Sequence, residues 1–165
     1  MVDAIVEVLE KQAVLYSQLL ELAKQKTPFL VKNEVDQLNA AMQKEKRLLK
    51  QAEEHEQVRM QLSGQFFTGL GLPRYKGGRL SEMIRTVTSA QDKQKLAELH
   101  EQLTSSLHEL QKINQLNQQL IEQSLKFIDY SIDIMVEDPH DDITYQHPRS
   151  PGYGNPRNGL FDTRG

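Results

Sequence analysis

Apolar residues recur at three- and four-residue steps over most of the chain, and each stretch that keeps this rhythm predicts an amphipathic helix. Ile5, Val8, Leu15, Leu19 and Leu22 keep heptad spacing, with Val2, Val6, Leu9, Tyr16 and Leu20 widening the face, so a first helix is predicted over residues 2–26. Thr27-Pro28 interrupts the pattern, because proline disfavours helix at the residue before it; a tight reversal is expected over residues 27–33. A second helix is predicted over 33–62, with Asn33 as its N-cap and Glu34 and Asp36 in the first turn, where acids complement the macrodipole. Its face is Val35, Leu38, Met42, Leu49 and Ala52; towards Leu62 the stripe is broken by Glu45, His55, Glu56 and Arg59. That end is expected to be loosely packed or left for a partner.

The run SGQFFTGLGLPRYKGG over residues 63–78 holds five glycines and one proline, which predicts a loop. Its Phe66, Phe67, Leu70, Leu72 and Tyr75 are expected to fold part of it back on the bundle. Residues 80–87 form a short helix, after which Thr88 and Ser89 can cap a long one, with Gln91 or Asp92 as reciprocal partner. That long helix, residues 90–136, runs without proline or glycine. At about 1.5 Å per residue it would reach roughly 70 Å, so the other helices must run alongside it. Leu96, Leu99, Leu103, Leu107 and Leu110 begin its apolar face; Ile113, Leu116, Leu120, Phe127 and Ile134 continue beside a second line of Ile121, Ile128 and Met135. Residues 137–165 hold four of six prolines and four of nine glycines, which predicts a disordered C-terminal tail with Tyr145, Tyr153, Leu160 and Phe161 as sparse apolar anchors. The fold class is all-α: an elongated antiparallel three-helix bundle or coiled coil over 1–136, with a short extra helix, followed by a flexible tail.

Composition narrows the function. Aromatics are 6%, tryptophan and cysteine are absent, and charged residues reach 26% with net charge −3. The apolar content is therefore aliphatic, as in coiled-coil-like helices, and neither disulfides nor a thiolate site is available. No apolar run approaches the ~18 residues of a membrane span, and the N-terminus is acidic where a secretory signal would be basic, so a cytoplasmic protein without membrane insertion is expected. His100 and His108 are eight residues apart on one helix, too far to share a metal, and Asp138-Pro139-His140-Asp141-Asp142 reads as a solvated acidic turn. No nucleotide-binding or nucleophile motif is present, so no enzyme activity and no cofactor is expected. The basic cluster Lys44, Lys46, Arg47 and Lys50 is interrupted by Glu45 and followed by Glu53, Glu54 and Glu56, which argues against nucleic-acid binding.

What remains is the seam of the long helix. Asn114, Asn117, Ser124 and Ser131 share a sector with Leu110, Ile121 and Ile128, where a self-sufficient coiled coil would carry branched aliphatics. Two readings stand. These polar residues specify register, or they mark a groove that accepts an amphipathic helix from another protein.

The run from Asn114 to Tyr130, NQLNQQLIEQSLKFIDY, resembles the C-terminal helix of the FlgN family of flagellar export chaperones, in its form N-x-x-N-x-x-L-[IL]-x-x-S-L-x-[FY]. Val31 to Leu38 with Glu45 to Leu49 is similar to that family's second helix, and Leu80 to Ile84 to its short middle helix. The ending from Gly159 to Arg164 looks like the close of Gram-positive members. The resemblance implies a cytosolic chaperone that binds the C-terminal helical region of the hook–filament junction proteins FlgK and FlgL, prevents their premature assembly and delivers them to the export gate, FlhA. Joined to the groove reading, it gives as substrate-binding candidates Asn117, Leu120, Ile121, Ser124, Phe127, Ile128, Ser131 and Met135. Related chaperones dock at the gate through a tail tyrosine; Tyr153 with Gly154 is the nearest match here, and Phe161 the alternative anchor. The competing reading is a structural coiled-coil adaptor or homodimeric scaffold with no secretion substrate.

Overall fold

The structure, a computed structural model, describes residues 1–72 and 78–136. The expected tail, with Tyr153, Gly154 and Phe161, lies outside the described residues. Among those residues the chain is all-α, with helices α1 (Val2–Val31), α2 (Val35–Gly69), α3 (Leu80–Thr86) and α4 (Ala90–Val136). It divides into two compact units, Met1–Gln119 and Leu120–Gly165.

Unit 1 is a helical bundle in which α1 and α4 run parallel and α2 antiparallel to both. Cross-links set the directions. Gln12 and Lys26 of α1 reach Glu56 and Glu45 of α2, whereas Glu10 and Lys24 of α1 meet Lys95 and Glu109 of α4. The half-exposed α1–α4 ion pairs contribute little stability and serve here as register marks. The core lies at the α3 end, where Ile5, Val6, Leu9 and Ala13 of α1 pack with Phe67 of α2, Met83 of α3, the adjoining Val87, and Leu96, Leu99 and Leu103 of α4. Each of these side chains other than Ala13 contributes about 1.5–3 kcal/mol on leaving water.

Three helix ends differ from the sequence reading. α1 continues through Thr27-Pro28 to Val31, because burial of Leu30 and half-burial of Phe29 hold the last turn in place. Asn33 does not cap α2. It adopts φ 55° as the left-handed residue after α1, with Asn33 N–H donating to Leu30 O and Glu34 N–H to Phe29 O, the Schellman arrangement. Glu34, without a side-chain cap, precedes α2. At its far end α2 runs to Gly69, taking in part of the stretch read as a loop. Phe67 is buried in the core and stands edge-on to half-buried Phe66, with ring centroids 5.4 Å apart. That burial outweighs the roughly 1 kcal/mol that Gly64 costs a helix. The chain turns at Gly71, φ 77°, where Leu72 N–H reaches Phe67 O in a second Schellman closure. Ser89 caps α4, its hydroxyl accepting from Asp92 N–H at 3.4 Å.

Two polar contacts sit inside this bundle. Asn117, 3% exposed, donates from Nδ2 to Ala23 O at 3.0 Å and accepts at Oδ1 from the Thr27 hydroxyl at 2.6 Å. Where α2's apolar stripe breaks down, Glu56 accepts from Arg59 at 2.8 and 2.7 Å and from the buried Gln12 at 2.8 Å. The Arg59 hydrogen bond holds the Glu56 carboxyl below the ordinary glutamate range against the opposing effect of burial, with Gln12 adding to it. Burial, and then the Glu56 charge, push the nearby Tyr16 phenol up.

Three stability outcomes are expected. Ser63 is fully buried with no hydrogen-bond partner for its hydroxyl, so Ser63→Ala should raise the urea-unfolding free energy by about 1 kcal/mol. Asn117→Ala should lower it by about 1–3 kcal/mol, because Thr27 and Ala23 lose their partner. The depressed Glu56 pKa means that its stabilisation is complete above the ordinary glutamate value and is lost as pH falls through the lower folded value. Glu56→Gln should therefore flatten the stability-versus-pH slope in that acid window, measured by denaturant titration at a series of pH values.

Candidate helix-binding face

Unit 2, as far as it is described, is the last part of α4. Ten of its seventeen residues from Leu120 to Val136 are large and apolar or aromatic, a density that an exposed helix does not ordinarily carry. Ile121, Leu125, Ile128, Ile132 and Met135 follow four- and three-residue steps and form a continuous exposed stripe. Val136 widens it, whereas Phe127, Tyr130 and Ile134, also exposed, lie on the other side of the helix; Phe127 is 68% and Met135 83% exposed. A helix turns 3.6 residues per cycle, so the stripe presents side chains at the spacing of a coiled-coil seam with no helix of unit 2 among the described residues to fill it. Ser131 Oγ donates back to Phe127 O at 2.9 Å, satisfying its hydroxyl within the helix.

The candidates from sequence divide into three groups. Ile121, Ile128 and Met135 are exposed on this stripe, whereas Phe127, equally exposed, lies across the helix from it. Leu120, Ser124 and Ser131 occupy a half-buried line beside it. Asn117 belongs to unit 1, where it is buried and its amide is engaged by Thr27 and Ala23, so it does not share the exposed stripe. The sequence reading also passed over Leu125 and Ile132. Their signal was present in the alternation of four- and three-residue steps through Ile121, Leu125, Ile128, Ile132 and Met135, which a search for lines of seven alone misses.

The chemistry of this face is apolar contact with a polar margin. Exposed Glu122 and Lys126 and half-buried Asp129 are the charged residues beside it, and Asp133 is buried. Among the described residues no three His, Asp or Glu side chains gather in a way that would hold a metal ion. None of the described helices is long and apolar enough to cross a membrane.

Comparison with known proteins identifies the family. The family model described as FlgN protein matches residues 1–151. A Bacillus subtilis (strain 168) protein, the uncharacterized protein YvyG, is 31% identical over 133 residues, covering 81% of this chain and 79% of the relative. No solved structure matches the chain. A match that spans all four helices, with a relative 31% identical over most of both chains, places the chain in the FlgN family of flagellar export chaperones.

Proposed function

We propose that the protein is a cytosolic chaperone that receives the C-terminal helical region of the junction proteins FlgK and FlgL on the Leu120–Val136 face of α4 and carries them to the export gate FlhA. The observation that supports this reading is the exposed stripe Ile121, Leu125, Ile128, Ile132 and Met135 in a chain of a family whose members bind flagellar proteins. An amphipathic substrate helix laid along it would place its own apolar residues between these side chains, so that both surfaces leave water together. Masking the substrate helix in this way prevents it from pairing with other copies before export. A contact of about 800 Å² per partner is enough for binding that is specific and still reversible at the gate. Leu120, Ser124 and Ser131 form the margin of the site, where small polar side chains permit close approach without adding adhesive area. In this proposal the gate contact is made by the tail, through Tyr153 with Gly154 or through Phe161.

The test is co-purification. Wild-type protein should form about a one-to-one complex with a junction protein, and the double variant Ile121→Asp, Ile128→Asp should lose it while circular dichroism shows unchanged helicity. Both positions are about half exposed, so a charge there removes no core contact from the free protein. Intact binding by the double variant would overturn the face assignment. Failure of the wild-type protein to bind either junction protein would favour the scaffold reading.

A further inference from the structure

Within unit 1, α2 and α4 leave a groove between them. At the α3 end, Glu56 and Arg59 of α2 stand across from His100, Leu103, Thr104 and Leu107 of α4. The cleft between them, of roughly 340 Å³, is floored by Leu9, Gln12 and Tyr16 of α1 and closed at one end by Arg79, Leu80 and Ser81. Seven and fourteen residues before Glu56, the same wall of α2 continues with Leu49 and Met42, because two helical turns return nearly to one face. Both are apolar and about half exposed, at 52% and 49%. On α4 the wall continues from exposed Leu107 towards Asn114. The sequence pattern put Met42 and Leu49 on the inner face of α2. In the structure that face is rotated: Ala41 and Ala52 are buried, Leu48 is half-buried, and Met42 and Leu49 are left exposed, in line with Glu56 by helical spacing.

The charges along the rim indicate what fits there. Lys46 and Lys50 follow Met42 at successive four-residue steps, and Arg79 stands at the closed end. Among the described residues, Lys11, Lys24, Lys26, Arg59 and Lys95 each have a carboxylate partner, whereas Lys46, Lys50 and Arg79 have none. One acid, Glu53, shares the rim; the Glu56 carboxylate is already engaged by Arg59 and Gln12. The α4 wall adds His100 and Thr104 but no acid. A groove with an apolar lining and a cationic rim, in a chain of net charge −3, favours an apolar helix with carboxylates along its flank. We infer that the groove between α2 and α4 is a second docking site, which takes one amphipathic helix with an acidic flank from a partner protein and so completes a four-helix arrangement in unit 1. From Glu56 to Met42 the wall spans four turns, enough for apolar residues at three- and four-residue steps to make several contacts.

Two synthetic 18-residue peptides, which share leucines at heptad a and d positions and carry either glutamates or lysines at the flanking positions, test this by fluorescence anisotropy against the full chain. The glutamate peptide should bind about tenfold or more tightly than the lysine peptide, and its affinity should fall as salt is raised. Leu49→Glu, and separately Lys46→Glu with Lys50→Glu, should each weaken it about tenfold or more at unchanged helicity, since all three side chains are exposed. Ile121→Asp with Ile128→Asp should leave it unchanged, which separates this groove from the face proposed for the junction proteins. Equal binding of the two peptides would overturn the inference, as would loss of the glutamate peptide on changing Ile121 and Ile128 rather than Leu49. A free protein that sediments as a dimer, and that Leu49→Glu converts to a monomer, would assign the groove to a second copy instead and overturn the partner assignment.

Discussion

Asn117 occupies a seam position where a coiled coil ordinarily carries leucine or isoleucine, and a buried amide there must find partners or destabilise the bundle. It finds them on one neighbour. The Ala23 carbonyl accepts from its nitrogen and the Thr27 hydroxyl donates to its oxygen, both on α1. Sliding α4 along α1 by one turn would break both bonds and bury the amide against side chains that cannot answer it. Aliphatic packing alone tolerates such slips, because one leucine can replace another. The position of every α4 residue beside α1 is therefore set by this contact together with the core at the α3 end.

The same helix carries two kinds of seam. From Leu96 to Leu103 its inward residues are buried among α1, α2 and α3. From Ile121 to Met135 comparable side chains stand in solvent. The intervening stretch grows poorer in buried leucine, with Leu107 already exposed and Leu110 and Ile113 half-buried. A chaperone gains from this division. A binding surface drawn from the core would have to be unpacked before use, whereas one that was never packed is available at no structural cost to the bundle.

Much of this was legible in the sequence, for definite reasons. The long helix could be read because no proline or glycine interrupts residues 90–136 and its apolar spacing is regular. Ser89 announced the start of α4, since a serine three residues before an acid is a local signal with a local cause. The errors arose where tertiary packing overrides local preference. Gly64, Gly69 and the pair Phe66-Phe67 looked like a loop, yet burying Phe67 extends α2 through them. Thr27-Pro28 looked like a stop, yet Leu30 anchors one more turn. Asn33 was suited to either end of a helix, and only its backbone hydrogen bonds decide which. At the candidate site, the polar residues of the seam were seen but not sorted: Asn117 is buried and bonded to α1, while Ser124 and Ser131 lie beside the exposed face. No periodicity argument separates these roles, because the distinction rests on whether α1 presents a carbonyl and a hydroxyl opposite.

The two Schellman closures differ in what they connect. The one at Asn33 joins α1 to α2 through three residues, so their pairing needs little loop closure and contacts such as Gln12 with Glu56 lie 44 residues apart in sequence. The bonds from Asn117 to Thr27 and Ala23 span 90 and 94 residues. Loop-closure entropy grows with that separation, so the hairpin is the local and readily formed part of the fold. During synthesis, all of α1 and α2 has been made before the first residue of α4 is added. The helix that bears the candidate face thus joins a hairpin already synthesised, through contacts that span 90 residues and more.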